Sequence, residues 1–327
     1  MESIIKLDAL TIGYRKTSLI KNISISVSKN ELIVILGKNG VGKSTLIETI
    51  LGFISPINGS IYFKDQLQSE LNASEIAKEV AVVFPKLNVI PNISIFETVA
   101  SARITHYQVL KKYSENEISF INEMLELVGI LNLKDKFLTE ISEGQLQLVM
   151  IARALCQDTS LIILDEPTAN LDLENQFKIY ELINNLKTKT NKSFVMITHD
   201  AQLALNYADK IWWIENQNLF DGIPEEIAYE HSIIEKLSGN YLKYNLISDS
   251  YQNIRNSEKR INVKGNSEFN YWLKRALIRK GFQIDENASE FMEVTENCII
   301  FDEQKFNSIS SLLNYLEHEK YNNNRSK

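Results

Sequence analysis

Residues 32–50, LIVILGKNGVGKSTLIETI, contain three successive patterns that together decide the fold. An unbroken apolar run comes first, a glycine-rich turn follows it, and a helix-forming run comes last. Continuous apolar runs are typical of strands buried on both faces of a parallel sheet. Glycines let successive backbone N–H groups turn toward an anion at the start of a helix. The stretch therefore predicts a strand, a phosphate-binding loop and a helix within an α/β domain.

The loop itself matches the spacing at which such sequences bind a nucleoside triphosphate. Lys43 is placed to reach the β- and γ-phosphates, and Ser44 is placed to hold Mg²⁺. The alternative is a glycine turn with no ligand, but the strand before the loop and the helix after it favour phosphate binding. The predicted nucleotide-binding residues of the loop are Gly37, Asn39, Gly40, Gly42, Lys43, Ser44 and Thr45.

Two later segments, 160–166 (SLIILDE) and 193–200 (SFVMITHD), repeat the apolar run that ends in polar residues. A helical pattern at 175–190 lies between them, which predicts a parallel sheet with helical crossovers. Ligands in such sheets bind beyond the carboxyl ends of the strands. The opening segments 4–14 and 22–30 instead alternate apolar and polar residues, which predicts an antiparallel start to the chain. Between residues 88 and 140 helical patterns dominate, with Ile121, Leu125 and Val128 on one face, which predicts an inserted helical subdomain of about residues 88–150.

Asp165 and Glu166 form an acidic pair at the end of the second apolar run. Asp165 is suited to bind Mg²⁺ through its water shell, and Glu166 is suited to take a proton from the attacking water. The alternative is a solvated loop or a helix cap, which is common for Asp-Glu-Pro. General-base positioning contributes about 10²- to 10⁴-fold in rate, so the first interpretation predicts that Glu166→Gln traps bound ATP.

His199 ends the third apolar run. A lone histidine is more often a core or surface residue than a catalytic one. Its position at the tip of a strand in the same sheet favours a hydrogen bond to the γ-phosphate and to the base. We therefore predict Lys43, Glu166 and His199 as catalytic residues, with Ser44 and Asp165 holding Mg²⁺.

The composition limits the classes of function. The chain has 327 residues, 44% of them hydrophobic, and a formal net charge of −7, which disfavours a nucleic-acid-binding surface. Its 2 cysteines are too few for a disulfide framework and indicate a reducing compartment. The apolar runs are far shorter than the ~18 residues that span a bilayer. The first residues lack the pattern of a secretory signal, so we expect a cytoplasmic protein.

Composition changes near Ser238, where a polar, Asn- and Ser-rich segment predicts a linker over residues 238–258. Beyond it, strand and helix patterns predict a small β-α-β-β-α domain over 259–320, followed by a frayed tail at 321–327. A predicted helix there carries a face that we expect to pack on its own sheet, formed by Phe269, Trp272, Leu273, Ala276 and Leu277. Two alternative roles for this domain are to brace a dimer or to bind a small regulator.

Over about residues 6–230 the chain resembles ATP-binding-cassette (ABC) ATPases. The motifs that carry the resemblance occur in order: Tyr14, the phosphate loop, Ser142-Glu143-Gly144-Gln145, Asp165-Glu166, Asn170-Leu171-Asp172 and His199. The resemblance implies an α/β fold of the P-loop NTPase type over residues 1–237. In that fold a RecA-like parallel sheet carries an antiparallel β subdomain and an inserted helical subdomain. The small C-terminal α+β domain follows it.

The resemblance also implies how the motifs work together. Two copies pack head to tail, and Ser142 and the backbone of Gly144 contact the γ-phosphate held by Lys43 of the other copy. Gln145 belongs to the same cross-dimer signature. Asp172 joins the two sites, and Tyr14 stacks on adenine, although a simple strand aromatic is the alternative for Tyr14. ATP and Mg²⁺ are the expected cofactors.

Two positions depart from the family pattern. Glu143 stands where glycine is common, which brings a carboxylate near a phosphate site. Lys86 stands where similar proteins have a glutamine that touches the Mg²⁺ water shell. Our hypothesis is that Lys86 contacts phosphate or the membrane partner, and that hydrolysis persists with an altered Mg²⁺ dependence.

Among ABC ATPases, a translation factor has two phosphate loops and a chromosome ATPase has a long coiled coil, and this chain shows neither pattern. A transporter motor subunit remains, bound to an integral membrane permease at the cytoplasmic face of the membrane, with no nucleic-acid partner. Residues 94–103 (SIFETVASAR) resemble ATPases that power import of ferric siderophores, haem and cobalamin, which implies an extracytoplasmic substrate-binding protein acting through the permease. Another cargo, export, or a non-hydrolysing regulatory cassette are the alternatives.

Overall fold

The structure is a computed structural model that describes residues 3–14, 17–85, 92–106, 113–238, 242–245, 250–253, 259–265, 267–295 and 298–316. The chain divides into two compact units, Met1–Leu237 and Ser238–Lys327. Lys86, residues 88–91 and 107–112 of the predicted helical subdomain, residues 317–320 of the predicted C-terminal domain and the predicted tail at 321–327 lie outside the described residues.

The strands, in chain order, are β1 (Ser3–Tyr14), β2 (Thr17–Ser28), β3 (Leu32–Gly37), β4 (Asn58–Phe63), β5 (Gln66–Leu67), β6 (Val80–Val83), β7 (Leu161–Asp165), β8 (Ser193–Ile197), β9 (Lys210–Glu215), β10 (Asn218–Gly222), β11 (Leu242–Asn245), β12 (Ser250–Asn253), β13 (Arg260–Lys264), β14 (Gln283–Ile284), β15 (Phe291–Thr295), β16 (Cys298–Phe301) and β17 (Gln304–Phe306). The α-helices are α1 (Lys43–Ile50), α2 (Ala73–Glu79), α3 (Ile95–Ala100), α4 (Glu115–Leu127), α5 (Glu143–Cys156), α6 (Leu173–Thr190), α7 (Ala201–Tyr207), α8 (Pro224–His231), α9 (Ile233–Ser238), α10 (Glu268–Arg279) and α11 (Ile309–Tyr315).

A six-stranded sheet in the order β10-β9-β3-β8-β7-β6 forms the centre of the first unit. Its strands are parallel except for β10, which pairs antiparallel with β9 at one edge. Every residue of β3, β7 and β8 is buried, as their continuous apolar runs predict. Because β8 lies between β3 and β7, the ends of these three strands meet at one edge of the sheet.

A four-stranded antiparallel sheet in the order β2-β1-β4-β5 holds the opening segments, which confirms the antiparallel start. Its inward side chains share one hydrophobic core with helix α1 and the central sheet. Ile5 and Ile12 of β1 and Leu46 of α1 are members of this core, and each is at most 1% exposed. The helix that follows the phosphate loop is therefore fixed between two sheets.

The helices α3, α4 and α5 pack together, as predicted for the region between residues 88 and 150. Ile121, Leu125 and Val128 are buried, which confirms the predicted face. A serine caps the start of each helix, and the third helical residue of each returns a side-chain bond to the backbone of its serine. Such reciprocal caps satisfy backbone N–H groups that the first turn leaves without partners.

The second unit contains a five-stranded sheet in the order β14-β13-β15-β16-β17 and a separate hairpin of β11 and β12. The hairpin lies inside the segment predicted as a linker, so that segment is not wholly without regular structure. Leu273 and Leu277 of α10 are fully buried in the core of this unit, and Phe269 and Ala276 pack against that core.

The prediction for Trp272 was wrong, because its side chain is 53% exposed. A helix turns about 100° per residue, so Trp272 lies about 100° away from its buried neighbour Leu273. Its ring instead meets Tyr271 edge-on at 5.3 Å between centroids. It is a surface residue of the second unit.

Candidate functional site

The phosphate loop connects the end of β3 to the start of α1. Gly40 and Gly42 have φ angles of 78° and 112°, which side-chain-bearing residues rarely adopt. Gly42 is the N-cap of α1 and gives it no side-chain cap. No side chain of the N-cap residue occupies the first N–H groups of this helix. These N–H groups can therefore donate to a bound anion. Asn39 and Ser44 are exposed at the mouth of this loop.

Gly37 allows the loop to approach the neighbouring strand closely, because a Cβ there would lie 2.9 Å from the carbonyl oxygen of Ile214. Lys43 folds back on this turn. Its Nζ donates to the carbonyl oxygen of Gly37 at 2.7 Å and to that of Lys38 at 3.1 Å. Burial lowers the pKa of Lys43, while the charges of Glu166 and Asp165 act in the opposite direction. A triphosphate would supply the negative charge that this buried ammonium needs.

Asp165 ends β7, and its side chain is buried among charges of both signs. Burial raises the pKa of Asp165, the charge of Glu166 raises it further, and Lys43 lowers it. A buried carboxylate whose ionised form is disfavoured gains from a nearby cation. With the exposed hydroxyl of Ser44, this carboxylate fits the hard oxygen ligands that Mg²⁺ prefers.

Glu166 and His199 form a side-chain pair at the ends of β7 and β8. His199 Nε2 lies 2.9 Å from Glu166 Oε1. The Glu166 backbone N–H donates to the carbonyl oxygen of Ile197 at 3.0 Å, which ties this residue to the neighbouring strand. Its φ of 52° is a left-handed conformation that is uncommon for glutamate, and such conformations often occur at functional sites. The sheet edge therefore brings Lys43, Asp165, Glu166 and His199 together.

The segment from Ser142 lies at the start of α5. Ser142 Oγ accepts from the Gln145 N–H at 3.3 Å, and Gln145 Oε1 accepts from the Ser142 N–H at 3.1 Å. A Cβ on Gly144 would lie 3.8 Å from Leu171 and 3.9 Å from Asn175, so the start of α5 lies beside the start of α6. Asp172 caps α6 by accepting from the Asn175 N–H at 2.8 Å.

The predicted site residues thus lie in two separate groups, one at the starts of α5 and α6 and the other around Lys43. Within the described part of the chain, no hydrogen bond links the group of Ser142, Gly144, Gln145 and Asp172 to the group around Lys43. The position of Lys86 lies outside the described residues, so its predicted contact stays a prediction.

Tyr14 lies at the end of β1 and is 52% exposed. Its hydroxyl donates to Glu48 Oε2 at 3.1 Å and accepts from Thr45 Oγ1 at 3.2 Å. Both partners belong to α1. The sequence analysis missed Glu48, although its spacing of three residues from Thr45 puts both on one face of the helix. These bonds fix the ring of Tyr14 beside the phosphate loop, with one part of its surface open.

If Tyr14 stacks on adenine, Tyr14→Ala will raise the KM for ATP about tenfold, because stacking of a base on an aromatic side chain contributes about 1–3 kcal/mol. Tyr14→Phe keeps the ring and loses the two hydrogen bonds, so we expect an increase of about threefold. Steady-state ATP hydrolysis gives KM and kcat, and kcat should stay constant. Tyr62→Phe, on β4, is the matched control. An unchanged KM in Tyr14→Ala would leave Tyr14 as a structural residue of β1.

A buried parallel sheet, a glycine loop before α1, and acidic and histidine side chains at neighbouring strand ends define a P-loop ATPase. Comparison with known proteins gives the family. Residues 20–169 match the family model of the ABC transporter, and residues 258–317 match that of the iron ABC transporter C-terminal domain.

Several characterised proteins are similar to this chain. The achromobactin transport ATP-binding protein CbrD of Dickeya dadantii is 32% identical, over 68% of this chain and 82% of its own length. The petrobactin import ATP-binding protein FpuD of Bacillus anthracis is 29% identical, over 70% of this chain and 85% of its own. The phosphonates import ATP-binding protein PhnC of Fusobacterium nucleatum is 35% identical, over 67% of this chain and 92% of its own.

Among solved structures, a nucleotide-free ATP-binding cassette from an ABC transporter superposes with a TM-score of 0.64 at 25% identity, over 74% of this chain and 99% of its own. The chain belongs to the family of ABC transporter ATP-binding proteins, ATPases coupled to transport. The predicted fold class is thereby confirmed. Relatives in this family work with membrane permease components.

Proposed function

We propose that this chain hydrolyses ATP to drive import of an iron complex, a siderophore or haem, or of cobalamin, as a head-to-tail dimer on a separate permease. The pair formed by Glu166 and His199 is the main support for the proposal that this chain hydrolyses ATP. It lies at the same sheet edge as Lys43, whose pKa responds to the charges of Glu166 and Asp165.

The residues of this edge have separate tasks in the proposed reaction. The uncapped start of α1 and Lys43 bind the phosphates, and Tyr14 binds the adenine. Ser44 and Asp165 would hold Mg²⁺ through water, and the ion would neutralise charge on the phosphates. Glu166 accepts a proton from the attacking water. His199 orients the Glu166 carboxylate through their hydrogen bond and contacts the γ-phosphate.

The start of α6 supports the proposed dimer. Leu173 and Phe177 are 70% and 46% exposed, and they lie one helical turn apart directly after Asp172. Two large apolar side chains side by side on an exposed helix are typical of an interface. They directly follow the cap residue Asp172, and we propose that a second copy of the chain covers them together with Ser142 and Gly144.

We expect the double substitution Leu173→Ser and Phe177→Ser to prevent ATP-dependent dimerisation in a Glu166→Gln background, because burying these side chains contributes about 1.5–3 kcal/mol each. Light scattering after size exclusion, with ATP and Mg²⁺, measures the mass. Ile118→Ser changes a similarly exposed apolar residue on α4 and should leave the dimer intact. Equal dimer fractions in both variants would contradict this interface.

Contact with the permease is supported by a second exposed apolar pair. Phe53 and Phe84 stack at 6.5 Å between centroids, and they are 66% and 39% exposed. Phe84 directly precedes Pro85 and Lys86, and contact with the membrane partner is one of the two roles hypothesised for Lys86. In the described part of the chain no helix is long and apolar enough to cross a bilayer. We propose that the protein is held at the cytoplasmic face of the membrane through this contact.

The names of the relatives support the proposed cargo. Achromobactin and petrobactin appear in the names of two of them, and the match at residues 258–317 is to an iron transporter domain. Uptake of labelled ferric siderophores, haem and cobalamin by cells lacking this chain tests the cargo. Loss of one uptake, restored by the parent gene and not by Glu166→Gln, supports the proposal. Loss of phosphonate uptake instead, the substrate in the name of another relative, would contradict it.

We also propose the domain division 1–237, a linker at 238–258 and an accessory domain at 259–320. The division of internal contacts after Leu237 supports the first boundary. An extracytoplasmic substrate-binding protein that delivers cargo to the permease completes the proposed transporter.

A further inference from the structure

Tyr180 is a buried polar residue of α6 that the proposed reaction does not use. Its side chain is fully buried, and its ring packs against Tyr207 of α7 at 5.4 Å between centroids. Burial raises the pKa of Tyr180, so its phenol stays protonated. The residue therefore contacts α7, the helix that follows His199.

The hydroxyl of Tyr180 faces a polar group in the segment that carries His199. Within the described ranges this hydroxyl makes no hydrogen bond of acceptable geometry. Thr198 nevertheless lies close enough for its side chain to lower the pKa of Tyr180, and the charge of Asp200 raises it. A buried hydroxyl without a partner is unfavourable, so a small shift of Thr198 toward Tyr180 would be favoured.

Thr198 is well placed to transmit such a contact. It is 3% exposed and directly precedes His199. Its Oγ1 accepts from the Asp200 N–H at 3.1 Å, and Asp200 in turn caps α7 by accepting from the Leu203 N–H at 2.9 Å. A hydroxyl oxygen accepts two hydrogen bonds, so Thr198 has an acceptor site left for the phenol. The backbone of His199 therefore lies between two residues fixed by this small network.

We propose that Tyr180 is a positioning residue for hydrolysis, whose hydroxyl donates to Thr198 Oγ1 when the segment 198–200 takes its working position and so holds His199 against Glu166. This inference rests on the proposed roles of Glu166 and His199. The helix that carries Tyr180 begins at Leu173, directly after its cap residue Asp172, so the same helix extends from the proposed dimer contact to the histidine segment.

The substitution Tyr180→Phe tests the inference, because it removes only the hydroxyl. We expect kcat for ATP hydrolysis to fall about fivefold, the effect of one hydrogen bond, with the KM for ATP unchanged. Because the hydroxyl makes no hydrogen bond of acceptable geometry in this structure, the melting temperature should not fall. Thr198→Val removes the acceptor, and adding Tyr180→Phe to it should cause no further loss of kcat. Thr198→Ser keeps the acceptor and should behave like the parent.

The outcomes are distinct. A fivefold loss that disappears in the Thr198→Val background supports the inference. Equal kcat in Tyr180→Phe and in an active parent overturns it, as does an equal loss in both backgrounds or a loss that follows a lower melting temperature. A parent without any ATP turnover contradicts the proposed function as well, which separates the two failures.

Discussion

Glu166→Gln is expected to reduce ATP hydrolysis at least about a hundredfold while ATP remains bound, since general-base catalysis contributes about 10²- to 10⁴-fold. The amide of glutamine cannot accept the proton of the attacking water. It keeps the size of the side chain and an oxygen that can accept a hydrogen bond from His199, so the sheet edge should keep its shape. Phosphate release measures turnover, and retention of labelled ATP on the protein measures binding.

Glu174→Gln provides the matched control for this change. Glu174 also follows a site motif, but its side chain is 80% exposed and pairs with Lys178 on the surface of α6. Surface pairs of this kind contribute little, so activity should be preserved. If Glu166→Gln hydrolyses ATP at the parent rate, Glu166 is not the base and the proposed reaction is wrong.

Lys43→Met is expected to weaken ATP binding about 10- to 100-fold, because hydrogen bonds to charged groups contribute about 1.5–3 kcal/mol each. Methionine preserves the length and apolar stem of lysine, so helix α1 should keep its packing against both sheets. The change removes the ammonium that bonds to the carbonyl oxygens of Gly37 and Lys38 and that would otherwise turn to the phosphates. Titration with a fluorescent ATP analogue gives the Kd.

Lys38→Met tests whether any positive charge of the loop would serve. Lys38 belongs to the same loop and is exposed, so its charge is screened by solvent. We expect its Kd to change by less than about threefold. If both substitutions raise the Kd for ATP equally, Lys43 contributes only a positive charge to the loop and no specific contact with the phosphates.

Much of the fold could be predicted because its central strands carry a strong signal. Side chains on both faces of β3, β7 and β8 are buried, which favours apolar residues along the whole strand. The sequence of each strand therefore shows a continuous apolar run. The second unit was harder, since each strand of the β11–β12 hairpin has only 4 residues and lies within an Asn- and Ser-rich segment, so its alternation is too short to stand out. Trp272 was misplaced because helical spacing marks a broad face, and residues at its margin can point either way.

The candidate site also contains residues that the sequence could predict and contacts that it could not. The residues that follow buried strands could be named from the sequence, because parallel strands must end together. Contacts between distant segments could not. The bond from Tyr14 to Glu48 joins β1 to α1, and the proximity of Gly144 to Asn175 joins two helix starts, and neither follows from local spacing. The place of Tyr180 beside α7 likewise depends on the packing of distant segments.

The reciprocal cap at Ser142 has a consequence for which amino acids this position can tolerate. The serine oxygen already receives the Gln145 N–H, yet its own proton is uncommitted by that bond. A single small group can thus begin a helix and still offer hydrogen to an incoming oxyanion. Aspartate would cap the helix as well as serine does, but it has no proton to give at neutral pH and would repel the anion. A side chain at this helix start must therefore carry both an acceptor for the cap and a donor for the oxyanion.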